Sequence, residues 1–421
     1  MKKVIALVLC FLMIATCFVG CGKKVEEKGE PDLVVWTAYE EGTPSYEAAV
    51  EQIEKFEESR GVDIEVVHYG RDLQTVLYAA LDADERVDVF PVGSTIQLNS
   101  QYDHTLDLTE YLENSDMREH SYPILLQTIS EVSVEKGDGE GKYHAIPTLS
   151  SFGAYWYNKE AFEKAGVTES PVTIEEFEAV CDKLVAAGYA PIALDAAYAP
   201  TTFGIYCGRL VGEEAIGDMI ANGGFAENER FVDLCQRMID WKNKGYFDPN
   251  APAEFPASQN KIGLTGEVVM VSCGLWVSGE IEEMTGAEIE WGAFPYPIDP
   301  DFENGTTGAS VSCTCNCINL NCANPDLAWD YITYMATGEA NKAITDADVY
   351  LVDDMQMEPL PRFAEAQGII ATIDENINYA GGLHNNPDIK TSINDVAVQL
   401  FSGAFATGEE AAAAFDAVVG K

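Results

Sequence analysis

The sequence predicts an α/β protein of two lobes, each built on a doubly wound sheet, and three observations predict it. Short apolar runs alternate with helical stretches from Leu33 onward, the order that places helices over a mostly parallel sheet. The chain has 421 residues, beyond the roughly 250–300 at which a single core stops growing. Its composition, 47% hydrophobic and 23% charged, is globular and can fill two cores.

The elements follow in chain order. Met1-Lys2-Lys3 precede an uncharged run, Val4 to Val19, and then Gly20-Cys21. A basic start before an apolar run is the layout of a secretory signal. The small residue before Cys21 resembles a bacterial lipobox, which implies lipidation of Cys21. Residues 1–20 are therefore expected to be a signal peptide and residues 21–31 a lipidated polar tether. An uncleaved anchor is the competing reading, with a run at the short edge of the about 17–25 residues that cross a bilayer. Both readings put the remainder outside the cytoplasm.

Leu33-Val34-Val35-Trp36 has the apolar density of a buried strand. Tyr46 to Ser59 carries Ala49, Ile53 and Phe56 at helical spacing, and Gly61 is its stop. Val62–His68 alternates as a second strand, Asp72–Leu81 is a helix, and Val87–Val92 is a third strand. In such sheets ligands sit beyond the carboxyl ends of the strands. That rule gathers Tyr39, Glu40 and Ser94 on one rim. Further on, Thr173 and Glu176 have the spacing of a capping box.

Eleven cysteines are present, and Cys313, Cys315 and Cys317 alternate. On a strand they share one face, too far apart for easy bridging. A buried face of free thiols is expected, since thiols pack as small hydrophobes. The spacing fits no zinc pattern, so no metal and no cofactor is expected. The formal net charge of −45 argues against nucleic acid and against docking on anionic lipid. Charge allows a cation or a neutral hydroxyl-rich ligand.

The most specific stretch runs from Tyr143-His144-Ala145-Ile146-Pro147, through Tyr157-Asn158-Lys159 and Ala165-Gly166, to Pro171-Val172-Thr173-Ile174-Glu175-Glu176-Phe177. Gly266-Glu267-Val268-Val269-Met270, Gly274-Leu275-Trp276 and Asn324-Pro325-Asp326-Leu327-Ala328-Trp329 follow in order. Together these resemble the extracellular solute-binding proteins that feed ABC importers, in the carbohydrate group that includes the maltodextrin-binding protein. The resemblance implies a periplasmic-binding-protein-like II fold whose lobes are joined by hinge crossovers. Residues 32–147 plus about 305–350 would form the N-lobe, and 148–304 plus about 359–421 the C-lobe. Crossovers are expected near Pro147–Ser151, Tyr296–Gly305 and Tyr350–Pro359.

The resemblance also implies a sugar in the interlobe cleft, delivery to the transmembrane subunits of a permease by hinge closure, and a monomer held to the membrane by lipid alone. Sugar recognition needs aromatic faces for the C–H side of the ring and polar side chains for its hydroxyls. Trp276, seated after Gly274, is the leading stacking residue. Tyr39, Glu40, Ser94, Ser151 and Phe152 are candidate contacts from the rim and the first crossover. Asp195 is a candidate hydroxyl clamp, with Tyr198 and Phe203 as aromatics of the same loop. Tyr379 and His384 flank a Gly-Gly loop that could reach the cleft. A crossover acid found in the maltodextrin-binding protein is absent at Ser151-Phe152, which argues against a maltodextrin-like ligand.

Two other readings stay open. One is the same fold with a cationic cargo such as a polyamine, held through cation–π contacts. The other is an extracellular glycoside hydrolase, which needs two carboxylates at set separation. No recognisable nucleophile or metal motif supports the hydrolase.

Overall fold

The computed structural model describes residues 29–302 and 307–420. The expected signal peptide, the expected lipidation site Cys21 and most of the expected tether lie outside the described residues. The first sheet opens with β1, Leu33–Thr37, buried along its whole length. Thr43 caps the helix that follows, Pro44–Arg60, by accepting from the Tyr46 N–H, and Gly61 ends it at φ 68°. That conformation suits glycine, which has no Cβ to clash. Strands β2 (Ile64–His68) and β3 (Val89–Val92) flank β1 and run parallel to it.

The chain next forms β4, Ile146–Phe152, and goes straight on into β5, Ala154–Asn158. Phe152 still pairs in the first sheet, and Ala154 already pairs in the second. The expected crossover at Pro147–Ser151 therefore forms a strand of the first sheet, and the passage is made at Gly153. A side chain there would meet the Tyr296 ring, with a Cβ placed 3.0 Å from its hydroxyl.

The second sheet adds β6 (Ala190–Ala193), β7 (Val268–Cys273) and β8 (Trp291–Phe294), in the order β6-β7-β5-β8. The chain then returns as β9, Val311–Ile318, which inserts between β3 and β4 and runs antiparallel to both. The first sheet thus reads β2-β1-β3-β9-β4. Both sheets are mixed rather than fully parallel. The reason is topological: β9 enters the first sheet from the crossover end, opposite to β1 and β3, and β5 likewise enters the second. The Arg209 guanidinium, almost fully buried, donates to the Gly308 carbonyl just before β9.

β9 separates two chemistries. Cys313, Cys315 and Cys317 are buried on one face, while Ser312, Thr314 and Asn316 alternate with them on the other. All eight described cysteines are free thiols, although the Cys313 and Cys315 sulfurs lie 3.2 Å apart. The capping box at Thr173 forms as the spacing predicts: its hydroxyl accepts from the Glu176 N–H, and Glu176 accepts from the Thr173 N–H. Alternation along β5 sends Trp156 into the core that continues from the first sheet and Tyr155 and Tyr157 into a second core. Among the described residues no helix is long and apolar enough to cross a membrane.

Candidate functional site

Two hollows open along the strand pair β4–β9. The first lies where β7 ends. Beyond Cys273 the backbone turns at Gly274, and Trp276 folds back over it so closely that a Cβ on Gly274 would lie 2.1 Å from the indole. Glycine is therefore the seat that lets the ring lie flat on the backbone. Trp276 remains 41% exposed, so part of its ring is open to a partner. Tyr379, 55% exposed, lines the same hollow of about 100 Å³.

Hydroxyl groups complete the lining. Ser151 comes from β4, Ser312 from β9 and Ser272 from β7, with Thr201 and Thr202 from the helix Ala199–Leu210. Tyr296 and Ser272 share a hydrogen bond of 3.0 Å. Burial pushes the Tyr198 and Tyr296 phenols well above their ordinary range. Both therefore stay protonated and can donate as well as accept. Among the described residues no Asp, Glu, Lys or Arg lines this hollow.

The second hollow, about 310 Å³, lies at the carboxyl end of β1. Trp36, Leu149, Tyr331, Met335 and Ile344 give it a broad apolar lining, and the buried Thr37 and Ser45 add hydroxyls. Thr314 and Asn316 of β9 line one wall, and Glu40, Arg71 and Asp348 belong to its lining too. Glu40 and Arg71 pair at 3.5 Å, both with exposed side chains. Burial, reinforced by Asp348 and Asp353, raises the half-buried Tyr39 phenol above its usual range. Asp348 leads into Val349, whose φ of 53° is an outlier for a β-branched residue.

The structure brings Ser151, Phe152, Tyr198, Gly274, Trp276 and Tyr379 together in the first hollow, and Tyr39 and Glu40 in the second. Four expected contacts join neither lining. Asp195 is a correction: it is 2% exposed, and its two oxygens accept from the Ser258 and Gln259 N–H groups at 2.8 and 3.1 Å. It fixes a loop, and its acceptors are already engaged. Phe203 is also corrected, because it is buried against Phe231, Phe401 and Phe415. Helical spacing turned that aromatic inward. Ser94 accepts from the Gln97 N–H as the cap of the helix Thr95–Gln101. His384 bonds Asn394 at 2.7 Å, which ties its loop to the helix Lys390–Ser402.

Sequence reasoning missed Phe255, which lines neither hollow but stands edge-on to Tyr198 at 5.7 Å behind the first. It missed the hydroxyl face of β9 as well, although the alternation with cysteine was its signal.

The chain belongs to the bacterial extracellular solute-binding protein family, whose family model matches residues 51–351. It is 25% identical over 246 residues to an uncharacterized ABC transporter extracellular-binding protein of Pyrococcus horikoshii, covering 54% of this chain and 51% of that relative. The chain thus spans about half the length of the curated relatives it matches. Its fold is similar to that of a probable secreted solute-binding lipoprotein of Streptomyces coelicolor, with TM-score 0.71, 16% identity and coverage of 93% and 99% of the two chains. A cyclo/maltodextrin-binding protein complexed with maltotetraose aligns with TM-score 0.64 and 15% identity over 94% and 98%. The two sheets are those of a two-lobed solute-binding fold.

Proposed function

We propose that this protein is the receptor of an ABC importer for a neutral carbohydrate, held at Trp276 and passed to the permease by closure of the lobes. One observation carries the reading: among the described residues the hollow at Trp276 combines an exposed indole with hydroxyl groups and no charged side chain. A pyranose offers a C–H face to an aromatic ring and hydroxyls to neutral donors and acceptors. Among the described residues a cation would find ring faces and hydroxyls but no carboxylate in that lining, which disfavours the polyamine alternative. Closure needs only better contacts in the closed form than in the open one, and no bond in the ligand is made or broken. The lobe limits expected from the sequence, 32–147 plus about 305–350 and 148–304 plus about 359–421, take one change: β4 pairs in the first sheet, so we place the first boundary at Gly153.

A thermal-shift screen tests the cargo, because any ligand of the folded state raises its stability by mass action. Neutral mono- and oligosaccharides are expected to stabilise the protein. Silence across the sugars with a salt-sensitive response to polyamines would sink the reading. We also propose lipid attachment at Cys21, where two acyl chains would give stable anchoring. Detergent-phase partitioning of the cell-expressed protein should be lost in Cys21→Ala; retention of the variant in the detergent phase argues for an uncleaved anchor.

A further inference from the structure

We propose that the larger hollow behind Tyr39 takes an aromatic aglycone of the sugar held at Trp276, so that the cargo is an aryl glycoside. The inference rests on the carbohydrate reading above and adds a substituent to it.

Size is the first argument. The hollow measures about 310 Å³ against about 100 Å³ at Trp276. A cavity of about 150 Å³ lined by aliphatic and aromatic side chains already admits benzene, so a substituted ring fits here with room to spare. Lining is the second. Trp36, Leu149, Tyr331, Met335 and Ile344 supply a broad apolar part of it, with Thr37 and Ser45 buried beside them. A bare sugar laid against those five side chains would leave the hydroxyls on that side unpaired. An aromatic ring has no such groups and gains from the apolar area it covers.

Continuity is the third argument. Ser312 lines the small hollow and Thr314 the large one. They stand on the same face of β9, one repeat of about 7 Å apart. On β4 their partners are Ser151 and Leu149. The hydroxyl face of β9 thus runs from one lining into the other, and a ligand laid along it would place sugar at one end and ring at the other. The exposed Glu40–Arg71 pair, at 3.5 Å in the hollow's lining, can part without disturbing the core.

The test compares, by calorimetry, the best sugar from the screen with both anomers of its phenyl glycoside. One anomer is expected to bind about 10- to 100-fold tighter than the parent sugar, the gain from burying one phenyl ring. Ile344→Phe and Met335→Phe, each checked for an unchanged melting curve, fill the hollow from two sides. Either folded variant should erase the phenyl gain and leave the affinity for the parent sugar intact. A parent sugar that binds while neither anomer gains overturns the aglycone and spares the carbohydrate reading. A phenyl gain that survives in the folded filling variants overturns it too. No response to any sugar or glycoside overturns both.

Discussion

The two hollows share one strand pair and differ in nearly everything else. The hollow at Trp276 is small, aromatic at its rim and ringed by hydroxyls, whereas the one behind Tyr39 is three times larger and joins a broad apolar lining to charged residues. β9 offers both of them the same polar face. The difference arises from what covers the strands. At Trp276 the cover is made of loops at the carboxyl ends of the second sheet. Behind Tyr39 it is the apolar faces of the helices Pro325–Ala336 and Gly338–Ala347. A strand face alone does not define a site; the elements laid over it do.

The largest effect that probes this comparison belongs to Asp353, which links the segment after the second of those helices to β4. Its carboxylate accepts from the Ser150 N–H at 2.5 Å, its own N–H donates to Asn341, and its other oxygen is buried without a partner. Burial raises its pKa to about 6. The folded state therefore holds the proton more tightly than the unfolded chain does. The associated stability is fully present below pH ~4 and is lost as pH rises through about 6, on the order of 3 kcal/mol in all. Asp353→Asn should become progressively more stable than the parent between pH 4 and 7 in urea unfolding. A pH-independent difference would show that Asp353 titrates normally.

Next in size is Trp276→Ala, expected to weaken sugar binding roughly 30- to 100-fold, as aromatic anchors do. Its melting temperature should stay near the parent's, because the ring is 41% exposed. The same substitution should leave the phenyl increment at the other hollow unchanged. Loss of both together would mean that the two hollows act as one.

The smallest pair of effects separates the faces of β9. Cys317→Ser places a hydroxyl among buried apolar groups and should cost about 1–3 kcal/mol of stability without changing affinity. Ser312→Ala should cost under about 0.5 kcal/mol of stability and weaken the ligand several-fold, the worth of one hydrogen bond. Reversal of that pattern would mean that the thiols, not the hydroxyls, face the ligand.

Much of the fold was legible because it rests on local rules. The capping box at Thr173, the glycine stop at Gly61 and the thiol face of β9 each depend on spacing within a few residues. Trp276 after Gly274 was legible for the same reason. Asp195 and Phe203 misled because an acid or an aromatic in a loop reads alike whether it faces solvent or core. Only the distant partners, Ser258 and Gln259 for one and Phe415 for the other, decide between them.

The sequence by itself determined the periodicities, the caps and the family motifs, since these are properties of neighbours along the chain. Tertiary structure alone decided the direction in which β9 enters its sheet, which loops turn inward, and that helices more than 150 residues from β4 close an apolar hollow over it. Those outcomes depend on contacts between segments far apart in sequence, and no local pattern encodes which of two faces a distant segment will cover.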